Sequence, residues 1–222
     1  KGGMAVVELA VDAVTERLTD WEGKLSIAVV NTPTSTVVSD DTEAIDAIAA
    51  QFESEGIYCK KVNVDYASHS AHVDDILDEL VGELASVVAK DTSIPFYSTV
   101  SGGILDGTEL DGVYWGRNLR EPVRLDRALD ALLADGHGVF VEVSAHPLLG
   151  MPLSNACSES GGVVVGSLKR DTGGLDQIYA TLGALHTQGY AVGWDVLLAS
   201  EPGALVDLPT YAFQRQRYWL ES

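Results

Sequence analysis

Cysteine is almost missing from this sequence: Cys59 and Cys157 are the only two in 222 residues. Neither belongs to a Cys-x-x-Cys pair or has a histidine at ligand spacing, so neither a disulfide framework nor a zinc site is suggested, and no metal is expected. Long apolar runs are missing too. No stretch of 18 consecutive apolar residues occurs, which excludes an ordinary membrane-spanning helix, and Lys1-Gly2-Gly3-Met4 has no signal-peptide core. A soluble, cytoplasmic protein with no membrane association is therefore expected. Positive charge is scarce, 14 Lys and Arg against 33 Asp and Glu, for a formal net charge of −19. Binding to nucleic acid needs a basic face to neutralise phosphates, so no nucleic-acid partner is expected. Finally, there is no Gly-x-Ser-x-Gly pentapeptide, the elbow that exposes a serine nucleophile between a strand and a helix. Ser101 and Ser160 each precede two glycines, but they lead into a loop and end a helix, and read as turn residues.

What is present is the composition of a globular protein, 46% hydrophobic and 21% charged. A chain of this length buries roughly 70–75% of its unfolded surface, enough for one domain or two small ones. Residues 4–9 read as a strand, and Val11, Val14, Leu18 and Trp21 repeat at helical spacing up to Gly23. Residues 25–30 and 36–39 are two strands close enough to form a hairpin across a turn at Asn31-Thr32-Pro33. Asp40-Asp41-Thr42 caps a helix with Ile45, Ile48, Ala49 and Phe52 on one face, stopped by Gly56. Residues 57–64 form a fourth strand, in which Val62 and Val64 alternate with Asn63 and Asp65. The order βαββαβ is that of a ferredoxin-like unit, an antiparallel sheet with two helices on one side.

Beyond this unit, longer helices alternate with isolated buried strands. A helix spans about 70–90 with Ser70 as its N-cap, a strand 94–100 follows, and residues 102–112 form a glycine- and acid-rich loop. Pro122 takes the N1 position of a helix carrying Val123, Leu125, Leu129, Leu132 and Leu133. Residues 139–143 are the clearest central strand, leading through His146-Pro147 into a helix; residues 163–165 are another strand and 175–185 an amphipathic helix. The aromatic, basic stretch from Leu208 to Trp219 has no clean period and reads as an extended tail on a surface. The division is thus 1–66, 67–200 and 201–222.

Five histidines are the candidates for acid–base chemistry. His72 sits on a first helical turn, His137 is bracketed by glycines, His146 precedes a proline at a strand end, and His186 is in a last helical turn where its charge suits the helix dipole. Each has a structural reading. His69, at the corner between a strand and a helix, is the one placed to face a cleft.

Four landmarks in order carry a family resemblance. They are Tyr66-Ala67-Ser68-His69, Tyr114-Trp115-x-x-Asn118-Leu119-Arg120-x-Pro122-Val123, Val141-Glu142-Val143-Ser144-x-His146-Pro147-Leu148-Leu149, and Leu208-Pro209-Thr210-Tyr211-x-Phe213-Gln214-Arg215-x-Arg217-Tyr218-Trp219. Together with the Gly2-Gly3-Met4 opening, they resemble the acyltransferase domain of modular type I polyketide synthases, the enzymes of antibiotic biosynthesis. The resemblance implies an α/β fold in which the ferredoxin-like subdomain (1–66) precedes the C-terminal part of an α/β-hydrolase-like acyltransferase subdomain (67–200) and a post-acyltransferase linker (201–222). It implies an activity: transfer of an extender acyl group from coenzyme A to a serine, then to the phosphopantetheine thiol of an acyl carrier protein, with no cofactor bound by the domain itself. His69 is then the general base, and the backbone carbonyl of Asn118 orients its ring. Tyr66, Ala67 and Ser68 shape the acyl pocket in the version of the tetrapeptide associated with methylmalonyl, where Ser68 leaves room for one methyl group.

The family's Gly-His-Ser-x-Gly nucleophile and its carboxylate-binding arginine lie upstream of the region matched here. This chain is therefore expected to be inactive alone, its partners being the missing N-terminal part of the acyltransferase, the carrier protein, and the adjacent ketosynthase and linker domains. Arg117, Arg120, Arg124 and Arg127 form the one basic cluster outside the tail. They read either as local partners of Glu121, Asp126 and Asp130, or as a contact for the carrier protein or coenzyme A phosphates. Tyr211, Phe213, Tyr218 and Trp219 are expected to be buried against protein. The alternative to an acyltransferase is a non-catalytic ferredoxin-like docking module.

Overall fold

Gly2–Val7 (β1), Val11–Leu18 (α1), Leu25–Thr32 (β2), Ser35–Asp41 (β3), Thr42–Ser54 (α2) and Cys59–Lys61 (β4) follow one another in the order expected from the hydrophobic periods. The computed structural model describes residues 1–158, 160–199, 203 and 206–219. β1 pairs antiparallel with both β3 and β4, and β3 with β2, so the four strands lie in the order β4-β1-β3-β2. The apolar faces of α1 and α2 close over this sheet. Phe52, Ile45 and Ile48 of α2 and Val14 of α1 are fully buried against Ala5, Val7 and Val38. Burying such a side chain contributes about 1.5–3 kcal/mol each. Gly56, at φ 74°, ends α2 as expected.

The cap of α2 differs from the one read in the sequence. Asp41 occupies the N-cap, yet its carboxylate makes no cap hydrogen bond. The Thr42 hydroxyl donates instead to the Gly2 and Lys1 carbonyls, at 3.0 and 3.2 Å, fastening α2 to the start of β1. β4 is also shorter than the expected 57–64. The Val62 N–H still donates to the Met4 carbonyl, but the next turn is closed by Val64 N–H on the Val62 carbonyl at 2.9 Å, and the chain leaves the sheet. Alternating Val62 and Val64 imitated two more strand residues.

The second unit begins with a 3-10 turn at Ala71–Val73 and Asp74–Glu83 (α3). Phe96–Ser98 (β5), within the strand expected at 94–100, pairs antiparallel with Gly103–Leu105 (β6), which lies inside the expected glycine- and acid-rich loop. Gly112–Arg120 (α4) packs closely on α3: a Cβ on Gly116 would lie 2.9 Å from Val81 Cγ2. The Tyr114 and Ser98 hydroxyls, both buried, share a 2.9 Å hydrogen bond beneath it. Pro122 does not open a helix. Val123–Arg124 (β7) pairs parallel with Val29 and Val30 of β2, becoming the fifth strand of the first sheet, and Leu125–Ala134 (α5) starts only afterwards.

Val139–Glu142 (β8), Gly150–Cys157 (α6) and Val163–Gly166 (β9) complete a small core in which Leu125, Leu129 and Leu153 are buried against Phe140 and Val164. β8 and β9 pair parallel, as strands joined through a helix should, although their residues are half-buried or exposed rather than buried as expected. β8 was expected to be central. Among the described residues its other edge is unpaired, and Val143 beyond it is 86% exposed. Leu175–Thr187 (α7) and Trp194–Leu198 (α8) follow. Residues 206–219 have no regular structure, and Tyr211, Phe213, Tyr218 and Trp219 are exposed rather than covered by this chain. Seven residues of the expected 201–222 linker lie outside the described ones. No helix among the described residues is long and apolar enough to cross a membrane.

Candidate active site

Tyr66-Ala67-Ser68-His69 crosses from the first sheet to α3, and its path is set by β1. Gly2 lies so close that a Cβ there would be 2.4 Å from the Ala67 nitrogen. Ser68 directs its hydroxyl at the Met4 sulfur, 3.9 Å away. The buried Ser70 closes the corner: its hydroxyl donates to the Ala67 carbonyl at 2.8 Å and accepts from the His72 N–H at 3.2 Å. Ser70 is thus the cap expected, on the 3-10 turn that leads into α3.

Between these ties His69 holds φ 59°, a left-handed conformation rare for a residue with a side chain. Its N–H donates to the Leu119 carbonyl at 3.0 Å, and its ring Nδ1 lies 2.9 Å from the Glu121 carbonyl. A carbonyl only accepts, so Nδ1 carries the hydrogen and Nε2 keeps its lone pair. Nε2 has no hydrogen bond among the described residues. The half-buried ring lines an open groove of about 500 Å³ together with Leu18, Glu22, Leu25 and Arg120. Burial pushes the imidazole below its ordinary value, and the hydrogen bond to Glu121 offsets this in part. The ring is therefore neutral near pH 7, with its basic nitrogen unpaired, which is the state a general base requires.

The orienting carbonyl was expected from Asn118 and is that of Glu121. Residue 118 is inside the last turn of α4, whereas Glu121 is its C-cap, extended at ψ 156°. The residue after it is Pro122, and the turn out of the helix aims the Glu121 carbonyl at the corner. A backbone group has no side-chain signature, so the sequence offered only the α4 motif as a whole. The other landmarks serve structure. Glu142 accepts from the Leu148 and Leu149 N–H groups at 2.7 and 2.9 Å and from the Ser144 hydroxyl, fixing the loop between β8 and α6. His146 accepts from the Arg170 N–H, His186 from the Trp194 indole, and His137 stacks edge-on against Tyr97.

Of the tetrapeptide, only His69 lines the groove among the described residues; Tyr66 is exposed, Ala67 buried and Ser68 turned to Met4. Three of the four clustered arginines are already paired: Arg117 with Glu121 at 2.7 Å, Arg124 with Asp126 at 2.6 Å, and Arg120 with Asp74. Arg127 is exposed and has no ion pair among the described residues. Burial raises both thiols, Cys59 and Cys157, so neither is a ready nucleophile. Among the described residues, Asp40, Asp41 and His72 are the one group close enough together to hold a metal ion.

Comparison with known proteins identifies a family. Residues 1–192 match the family described as acyl transferase domain. The chain is 46% identical over 223 residues to polyketide synthase GfsA of Streptomyces halstedii, covering all of this chain and 3% of that protein. It is 43% identical over 226 residues to an erythronolide synthase of Saccharopolyspora erythraea, of which it covers 6%. Among solved structures, the acyltransferase domain from module 8 of the salinomycin polyketide synthase superposes with a TM-score of 0.84 at 43% identity, over 88% of this chain and 47% of that one. A loading acyltransferase from the avermectin synthase gives 0.77 at 34% identity, over 83% and 59%. The chain thus spans a small fraction of the curated relatives and about half of the salinomycin domain.

Proposed function

Since the chain belongs to the acyltransferase domain family of modular polyketide synthases, we propose that it forms the base-bearing part of a domain that loads an extender unit onto an acyl carrier protein. The observation that carries this reading is His69, with Nδ1 on the Glu121 carbonyl and Nε2 unpaired beside a groove. Nε2 takes the proton of a serine hydroxyl as the hydroxyl oxygen attacks the acyl thioester carbon. The acyl–sulfur bond then breaks and coenzyme A leaves as the thiol, taking the proton from Nε2. In the second half-reaction Nε2 takes the proton of the phosphopantetheine thiol as its sulfur attacks the acyl-serine carbonyl carbon; the acyl–oxygen bond breaks and the proton passes to the serine oxygen. The Glu121 carbonyl serves as the orienting acceptor that a carboxylate supplies in a serine triad. No cofactor of the domain's own takes part.

The serine and the arginine that meets the extender carboxylate are supplied from outside these 222 residues, in keeping with the lack of a Gly-x-Ser-x-Gly elbow. The extender assigned on the likeness of the tetrapeptide is methylmalonyl: Ser68 is small where a phenylalanine would crowd the α-methyl group, while Tyr66 and Ala67, which do not themselves line the groove, set the path of the corner against β1. That one methyl is worth about 1–3 kcal/mol, so selectivity from this position is modest. The test is acyl loading from methylmalonyl-coenzyme A in the complete acyltransferase domain. His69→Gln is expected to lower the rate by about 10²–10⁴-fold while leaving the fold intact. A variant that loads at the parent rate refutes the assignment and favours a docking role for the chain.

A further inference from the structure

We infer that His72 is a positioning residue for the base, its imidazole tying the corner that carries His69 to the end of β3, so that the ferredoxin-like sheet sets the aim of His69. The inference rests on the reading of His69 as base. His72 lies three residues beyond it, on the turn capped by Ser70, and its Nε2 sits 3.2 Å from Asp40 Oδ1 and 3.1 Å from Asp41 Oδ1. Both carboxylates are acceptors, so Nε2 donates between them. Asp40 is itself fixed: it is buried, accepts from the Ser26 hydroxyl at 3.2 Å, and accepts from the Asp41 N–H at 3.1 Å. The free carboxylate of the α2 N-cap, unused for capping, is thereby accounted for.

A left-handed histidine persists only where its surroundings over-determine it. At residue 69 they are the close packing of Gly2 on Ala67, the Leu119 and Glu121 carbonyls on the His69 N–H and ring, the Ser70 hydroxyl beneath the corner, and the imidazole tie of His72 to Asp40 and Asp41. The carbonyl that orients the ring is anchored to the same sheet, because Glu121 is two residues ahead of β7 and β7 is paired with β2. Base and orienting group are thus referenced to one rigid body from opposite sides. Loosening His72 frees the base side while the carbonyl side stays put.

The experiment compares His72→Ala with His72→Gln in the complete acyltransferase domain. Glu22 and Arg120 are the other titratable groups lining the groove with His69, and both are unchanged in these variants. His72→Ala is expected to lower kcat by roughly ten- to a hundredfold with the KM for acyl-coenzyme A unchanged. The acid limb of the rate profile and the NMR titration of the His69 ring are expected to move up together toward the ordinary imidazole value. His72→Gln keeps an N–H donor for the carboxylates and is expected to restore both. The inference is overturned if His72→Ala lowers thermal stability without moving the His69 titration, or if His72→Gln is as impaired as His72→Ala. His69→Gln in parallel separates the two readings: full activity there removes the base assignment, whereas the ring titration in His72→Ala still reports on positioning.

Discussion

Replacing Gly2 by alanine probes the contact between β1 and the corner that carries His69, the proposed base. The added Cβ would lie 2.4 Å from the Ala67 nitrogen, 2.5 Å from the Tyr66 carbonyl carbon and 2.6 Å from the Ala67 Cβ. Ordinary contact begins near 3.4 Å, so the two backbones must separate by about 1 Å. All three obstructing atoms belong to backbone or Cβ, and no rotamer change clears them. Overpacking of this kind costs about 1–3 kcal/mol, which for a chain of this size lowers Tm by roughly 2–12 °C. The larger effect is expected in the rate. Tyr66 and Ala67 lead directly into His69, and a displacement of about 1 Å at a reacting group can cost about 100-fold. Gly3 is the internal control, because its Cβ would meet Ile45 and Thr42 atoms at 3.6 Å, an ordinary contact. The assay is carrier-protein loading followed by mass spectrometry, alongside thermal unfolding, for Gly2→Ala and Gly3→Ala in the complete domain. Equal rates in the two variants would refute the claim that β1 positions the base.

Further outcomes follow from the same geometry. His69 titrates below its ordinary value because burial disfavours its charged form; the rate is therefore expected to stay level on lowering the pH to below about 6.5 and only then to fall. The stability linked to this group has the same sign, being complete above about pH 6.5 and lost as the pH drops through the folded-state value; an acid limb above pH 7 contradicts it. Ser68→Phe fills the space assigned to the α-methyl group and is expected to shift the methylmalonyl-to-malonyl ratio of kcat/KM by about 10–200-fold toward malonyl, measured by competition. Arg127→Glu is the cleanest test of a carrier contact, since Arg124 is already committed to Asp126. A raised KM for the carrier protein with unchanged kcat is expected, and an unchanged KM removes Arg127 from that surface.

The parts of the fold legible in the sequence were those governed by local periodicity. Ile45, Ile48 and Phe52 recur at helical spacing and are buried together, as read. Ser70 before an apolar-periodic run marked a helix start, and the cap is there. What escaped was non-local. Val123 and Arg124 make a strand only because β2 offers them an edge, and Pro122 ahead of Leu125 and Leu129 looked like a helix opening. The Glu121 carbonyl escaped because every residue has one, and only the exit angle of α4 singles it out. His72 looked like a residue of a first helical turn, because nothing in its own neighbourhood announces Asp40 and Asp41, more than thirty positions earlier. One signal was available and unused: two glycines opening a strand mark a close backbone approach, here of Gly2 to Ala67.

The two-residue strand β7 also bears on how such synthases recombine. It is continuous with Glu121, yet it completes a sheet whose other four strands end by Lys61. A crossover anywhere between residues 70 and 120 inherits the histidine from one parent and its orienting carbonyl from the other, and joins them through a sheet edge that neither parent selected. A crossover beyond Arg124 transmits all of these as one block. Chimeras cut beyond Arg124 are accordingly the ones in which a grafted tetrapeptide arrives with the scaffold that aims it.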